Sequence, residues 1–130
     1  MKPALRLAAL VAIGVGASWL LARDRADALD PKVVAARTWI SVLQSAMDRF
    51  QRDMGHYPSL DEGLDALYHA PAKDALRWKG PYLKGEMPVD PWTHAYRYRI
   101  PGMKSSAGFD IWSLGPDGVE SEDDVGNWSK

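Results

Sequence analysis

Apolar residues return every three or four positions through LDPKVVAARTWISVLQSAMDRFQRDMGHYP. Val33, Ala36, Ile40, Leu43, Met47, Phe50 and Met54 fall on one stripe, while Arg37, Gln44, Asp48, Gln51 and Arg52 lie largely off it. That period predicts an amphipathic helix with one core-facing side, too short in heptads for a coiled-coil seam. Its ends are marked: Asp30 is placed to cap the first turn, Pro31 loses nothing at the first helical position, and Gly55 followed by Pro58 stops it. A second, shorter helix is expected over 59–70 (SLDEGLDALYHA), with Ser59 as cap, Glu62 three residues on, and Leu60, Leu64 and Leu67 buried.

The pattern then changes. From Pro71 to Pro91 the chain is rich in Gly and Pro and reads as connecting structure, touching the core through Trp78, Tyr82 and Leu83. AYRYRI (95–100) alternates, with Tyr96, Tyr98 and Ile100 on one face and Arg97 and Arg99 on the other; FDIWSL (109–114) is a second strand. The two should pair antiparallel across the polar loop PGMKSSAG. A helix with one apolar stripe beside a sheet with one apolar face predicts an α+β fold in two layers.

Upstream of the helix, residues 7–22 are uncharged, and sixteen residues rise roughly 24 Å as a helix. That is short against hydrocarbon about 30 Å thick, although Leu5 and a snorkelling Arg6 extend it. Lys2 and Arg6 before the run place the N-terminus on the cytoplasmic side and residues 29–130 beyond the inner membrane. An uncleaved single-pass anchor over 1–28 is the expectation. A cleaved secretory signal ending at the small residues of Ala26-Asp27-Ala28 and a buried globular helix are its rivals.

Composition narrows the classes. At 130 residues and 46% hydrophobic, with six Trp, five Tyr and two Phe, the chain has enough to fill one modest core. The net charge of −1 without a basic block gives no nucleic-acid footprint. With no cysteine there are neither disulfides nor thiolate metal sites. The chain contains no G-x-S-x-G, no H-E-x-x-H and no G-x-x-x-x-G-K, and His56, His69 and His94 lack metal-ligand spacing. Asp61, Glu62 and Asp65 suit the start of a helix better than an acid–base pair. An enzyme is not expected.

The candidate chemistry lies in SLGPDGVESEDDVGNW, where Asp117, Glu120, Glu122, Asp123 and Asp124 crowd together without a basic residue. Such a segment either stays solvated or gathers a hard cation, and Ca2+ takes six to eight oxygen ligands from carboxylates, carbonyls and water. Gly118 allows the loop to turn Asp117 back towards Asp123 and Asp124, while Trp112, Leu114, Val125 and Trp128 should pin both ends by burial. The spacing is not that of an EF-hand, since the glycine follows the first aspartate at once.

These residues resemble the major pseudopilin (G-type) family of the bacterial type II secretion system. The resemblance runs through SAMDRFQRDMGHYPSLDEGLDAL, WKGPYLKGEMPVDPWTHAYRYRIPG and FDIWSLGPDGVESEDDVGNW, covering roughly residues 32–128, with Y-P, E-G-L, P-x-D-P-W, S-L-G-x-D-G and D-V-G-N-W in order. It implies a helix packed on a small antiparallel sheet, a Ca2+ site in the C-terminal loop, and a periplasmic pseudopilus that helps push folded proteins through the outer membrane. Partners would then be other pseudopilins or secretion components, a homo-oligomer among them. The ligands it implies are the side chains of Asp117, Asp123 and Asp124 with the backbone carbonyl of Leu114, Glu122 being the alternative to Asp123.

The first residues depart from the family pattern: no G-F-T-L-x-E occurs, and no acidic residue interrupts 7–22. Two expectations follow, a calcium-stabilised pseudopilin-like subunit or accessory, and a non-polymerising periplasmic module that binds protein partners in a calcium-dependent way.

Overall fold

The computed structural model describes residues 18–23, 25, 26 and 29–128. The chain divides into two compact units, residues 1–34 and 35–130. In the first, residues 18–23 are helical, and Trp19, Leu20, Leu21 and Leu29 are exposed. Most of the apolar run over 7–22 lies outside the described residues. Among the described residues no helix is long and apolar enough to cross a membrane.

Helix α1 spans Pro31–Met54. It begins where the sequence places it, with the Lys32 N–H donating to Asp30 Oδ1 at 2.8 Å, so the cap satisfies a donor the helix itself cannot. It ends at Gly55, whose φ of +83° and N–H bond to the Gln51 carbonyl at 2.7 Å close the last turn in a conformation that side chains resist. Ala36, Ile40, Leu43, Ala46, Met47, Phe50 and Met54 are buried along its one apolar side.

The second unit carries a three-stranded antiparallel sheet in the order β1 (Arg97–Arg99), β2 (Asp110–Ser113), β3 (Val125–Gly126). Arg97 faces Trp112, Tyr98 faces Ile111 and Arg99 faces Asp110; on the other side Trp112 faces Gly126 and Ser113 faces Val125. The helix packs on this sheet, Phe109 and Ile111 being buried without remainder, so the α+β expectation holds. Tyr57 stacks edge-on to Phe109 at 4.6 Å and Phe50 edge-on to Tyr82 at 5.8 Å.

Both faces of β2 are covered. Asp110 and Trp112 point away from Ile111 yet are buried too, because the Arg99 guanidinium lies 4.7 Å above the Trp112 ring and Trp128 packs beside it at 6.0 Å. Of the two arginines expected on the open face, only Arg97 is exposed.

Two expectations need correction. The segment 59–70 is not a second α-helix: the Ser59 cap bond to the Glu62 N–H forms at 3.2 Å, but Gly63 at φ +60° breaks the turn, and only a 3-10 helix over Leu64–Leu67 follows. Leu64 and Leu67 are buried as expected, whereas Leu60, on the turn before the break, is 62% exposed. The connecting stretch after it holds a further 3-10 helix, Ala75–Arg77, and reaches the core as expected: the Trp78 indole N–H donates to the Ala66 carbonyl at 2.8 Å and the Tyr82 hydroxyl to Asp53 at 2.8 Å.

Candidate functional site

The acidic loop leaves β2 at Leu114 and returns as β3 at Val125, so the Ser113–Val125 pair closes its neck. Leu114 and Val125 are buried, Trp112 likewise and Trp128 half so; the expected pinning at both ends is present. Gly115 and Gly118, at φ +70° and +69°, supply the two bends that fold the loop back.

Inside the loop Ser121 gathers the carboxylates. Its hydroxyl donates to Asp117 Oδ2 at 2.7 Å, its N–H donates to Asp124 Oδ1 at 3.2 Å, and its Oγ accepts the Asp123 N–H at 3.3 Å. Asp117 Oδ1 accepts the Val119 N–H at 3.2 Å. Asp117 and Asp124, seven positions apart, are thus brought onto one residue. Asp123 meets Ser121 through its backbone, and its side chain, like that of Glu122, is exposed. Ser121 was not anticipated; a serine between carboxylates, able to donate from both hydroxyl and backbone, was the available signal.

The electrostatics are uneven. Burial pushes the Asp124 carboxyl above its ordinary pKa and the charges of Asp117 and Glu120 add to this, while the Ser121 N–H and the Lys104 ammonium oppose it. Among the described residues its buried Oδ2 has no hydrogen-bond partner. Glu120 leans out of the loop to Arg99, 3.5 Å from Nη1. Lys104 rests 4.8 Å above the Trp128 ring at the loop's foot.

This donor set is all oxygen, the kind Ca2+ takes, and a buried carboxylate oxygen lacking a donor is where a cation would be favoured. Asp124 meets that description, and Asp117, exposed and with both oxygens accepting hydrogen bonds, brings its carboxylate to the same Ser121. The third carboxylate is not gathered with them: among the described residues no three His, Cys, Asp or Glu side chains stand close enough to hold a metal. The histidines stay apart, His56 on the Tyr57 carbonyl, His69 on exposed Asp65 and His94 half-buried near Asp90.

Comparison with known proteins follows the same residues. The family model described as "Type II secretion system (T2SS), protein G" matches residues 26–128. The type II secretion system core protein G of Pseudomonas aeruginosa is 36% identical over an alignment of 126 residues covering 92% of this chain and 87% of that protein. Its counterpart in Vibrio cholerae serotype O1 is 33% identical over 126, covering 92% and 84%. Among solved structures, the major pseudopilin from the type 2 secretion system of enterohaemorrhagic Escherichia coli superimposes with a TM-score of 0.63 at 32% identity, over 84% of this chain and 92% of that one.

Proposed function

The chain belongs to the type II secretion system protein G family, and from that footing we infer that it is a pseudopilin subunit of this secretion machine, stabilised by calcium at its C-terminal loop. Its role is structural, as the family's is, and not enzymatic. The observation that carries the reading is the family match over residues 26–128, laid on one long helix and a three-stranded sheet.

The finer parts of the reading rest on the residues. The apolar run over 7–22, preceded by Lys2 and Arg6, anchors the chain in the inner membrane as a single pass with the C-terminal domain in the periplasm. There it assembles with other pseudopilins, copies of itself among them, into a pseudopilus that helps move folded proteins across the outer membrane. At the loop, Asp117 and Asp124 hold Ca2+ with the Leu114 carbonyl and a third carboxylate, Asp123 or Glu122, whose exposed side chain swings in. The ion, when bound, neutralises the crowded carboxylates and ties the loop ends together, adding about 2.7 kcal/mol at a hundredfold excess over Kd.

Two measurements test this. In cells carrying the secretion machinery, cross-linking should give a ladder of multimers or adducts with other pseudopilins. A single adduct with a secreted protein and no ladder would instead indicate a binding module that does not polymerise. Thermal melting of the full chain should shift upward in millimolar Ca2+ relative to chelator; coincident midpoints would remove calcium from the reading.

A further inference from the structure

The turn over 88–94 reaches the acidic loop through a chain of buried hydrogen bonds. Asp90 is only 2% exposed. Its Oδ1 accepts the N–H groups of Trp92 at 3.0 Å and His94 at 2.7 Å, and its Oδ2 accepts the Ser113 hydroxyl at 2.6 Å. Ser113, fully buried, in turn accepts the Gly115 N–H at 3.1 Å. The polarity of this chain is fixed. A backbone N–H can only donate, so the serine oxygen accepts from Gly115 and its single proton goes to Asp90 Oδ2.

The turn itself is held independently of the loop, by the Asp90 N–H on the His94 carbonyl at 2.8 Å, the Thr93 N–H on the Asp90 carbonyl at 2.9 Å and the Val89–Ala95 bridge. It meets the loop a second time at Gly118, where a Cβ would stand 3.1 Å from His94 Nε2, so the imidazole and the loop backbone are in close contact. Gly115, the residue fixed by Ser113, is also the one pressed on the loop's far end: a Cβ there would lie 2.9 Å from the Asp123 carbonyl oxygen.

We propose that Asp90 is a positioning residue for the acidic loop, fixing the Gly115 amide through the Ser113 hydroxyl and so setting the direction in which the loop leaves β2 before any cation arrives. The bond chain does not depend on calcium. Its use, presenting Leu114 and Asp117 in the geometry a cation needs, does rest on the calcium reading above.

Hydrogen exchange of the full chain in chelator separates the two. In Ser113→Ala the amides from Gly115 through Asp124 should exchange about tenfold faster or more, as the loss of a charge-assisted bond implies, while those of Tyr98, Arg99, Ile111 and Trp112 keep their rates. Asp90→Asn should accelerate the same amides to a lesser degree, because its NH2 turns towards Ser113 and leaves the hydroxyl proton without its acceptor, while Ser113 Oγ can still accept the Gly115 N–H. Unchanged Gly115 exchange, or acceleration spread evenly over the sheet, would overturn the proposal. If Ser113→Ala fails to fold, the wild type decides: Gly115 should exchange as slowly as Ile111 in chelator, and exchange at an open loop's rate would overturn it. Calorimetry with Ca2+ should show about tenfold weaker binding for Ser113→Ala than for wild type. A wild type that binds no calcium yet shows the loop-specific exchange effect would sink the calcium reading and leave this one standing.

Discussion

Arg99 and Asp110, directly opposed on β1 and β2, are joined twice at one oxygen: Asp110 Oδ2 accepts from Arg99 Nη2 at 2.6 Å and from Nε at 3.1 Å. The same carboxylate, fully buried, accepts the N–H groups of Met103 at 2.9 Å, Lys104 at 3.1 Å and Ser105 at 2.8 Å. One side chain therefore fixes both the strand pair and the loop that joins them.

Burial alone would raise the Asp110 carboxyl, but the Arg99 guanidinium and the three backbone donors outweigh it and hold the pKa below the ordinary carboxylate value. A depressed folded value means the ionised form is favoured by folding. The stability it brings is present above the unfolded pKa of about 4 and is lost as pH falls through the lower folded value. Asp110→Asn should cost about 3 kcal/mol at pH 7, since it leaves Arg99 and the loop donors facing an amide. Urea midpoints at pH 7 and pH 3 check this: the wild type should lose more stability on acidification than the variant, and equal losses would contradict the assignment.

Asp117 and Asp124 should separate by condition. In saturating calcium Asp117→Ala and Asp124→Asn should each remove more than half of the calcium-induced rise in Tm, which for about 2.7 kcal/mol on a domain near 100 residues is about 10–15 °C. In chelator Asp124→Asn should melt at or above the wild type, because it keeps an oxygen for the Ser121 N–H and relieves the buried, unpartnered Oδ2 of its charge. Variants that lose the same stability with and without calcium would make the two aspartates ordinary hydrogen-bond acceptors.

The long helix was legible because a 3.6-residue period over 24 residues, capped by Asp30 and stopped by Gly55, leaves few alternatives. The segment after Ser59 carries the same local signals but is short, and one glycine at positive φ, position 63, was enough to turn a helix into a turn and a 3-10 stretch. β3 was not legible at all: two residues, one of them Gly126, show no alternation, and they become a strand only because β2 already offers its edge. In the loop the bends at Gly115 and Gly118 bring Asp117 and Asp124 onto Ser121, while the side chain of Asp123, expected with them, stays exposed. Ser121 acts through neighbours two to four positions away and was within reach of the sequence; the Asp90–Ser113 link is a tertiary fact, since Asp90 lies 23 positions before the serine it meets.

The glycine at position 115 should be costlier to replace than its backbone angle alone implies. Gly85 and Gly115 have similar left-handed φ values, +78° and +70°, but among the described residues a Cβ meets nothing within 4 Å at Gly85 and the Asp123 carbonyl at 2.9 Å at Gly115. Gly85→Ala should cost about 1 kcal/mol, the usual penalty for a side chain in this region. Gly115→Ala should cost at least about 1 kcal/mol more, from the displaced carbonyl. Paired urea titrations in chelator give the difference directly, and equal costs would mean that the two ends of the loop are not pressed together.

Asn127 extends the β2–β3 ladder with its side chain. Its N–H donates to the Ile111 carbonyl at 3.0 Å, its Oδ1 accepts the Ile111 N–H at 3.2 Å, and its Nδ2 donates to the Phe109 carbonyl at 3.0 Å. The side-chain amide thus takes the place that another strand residue's backbone would fill, satisfying groups of the central strand beyond the end of the two-residue β3. An amide offers both donor and acceptor; a carboxylate offers only acceptors. Asn127→Ala should cost about 2 kcal/mol, and Asn127→Asp should cost more at pH 7, since it sets a charged oxygen against the Phe109 carbonyl. The carboxyl introduced there would have a folded pKa raised above its unfolded value, so the variant should regain stability relative to wild type as pH falls through that raised value. Urea midpoints for the three proteins at pH 7 and pH 4 test the order, and an aspartate variant as stable as the wild type at pH 7 would show that the side chain does not complete the ladder.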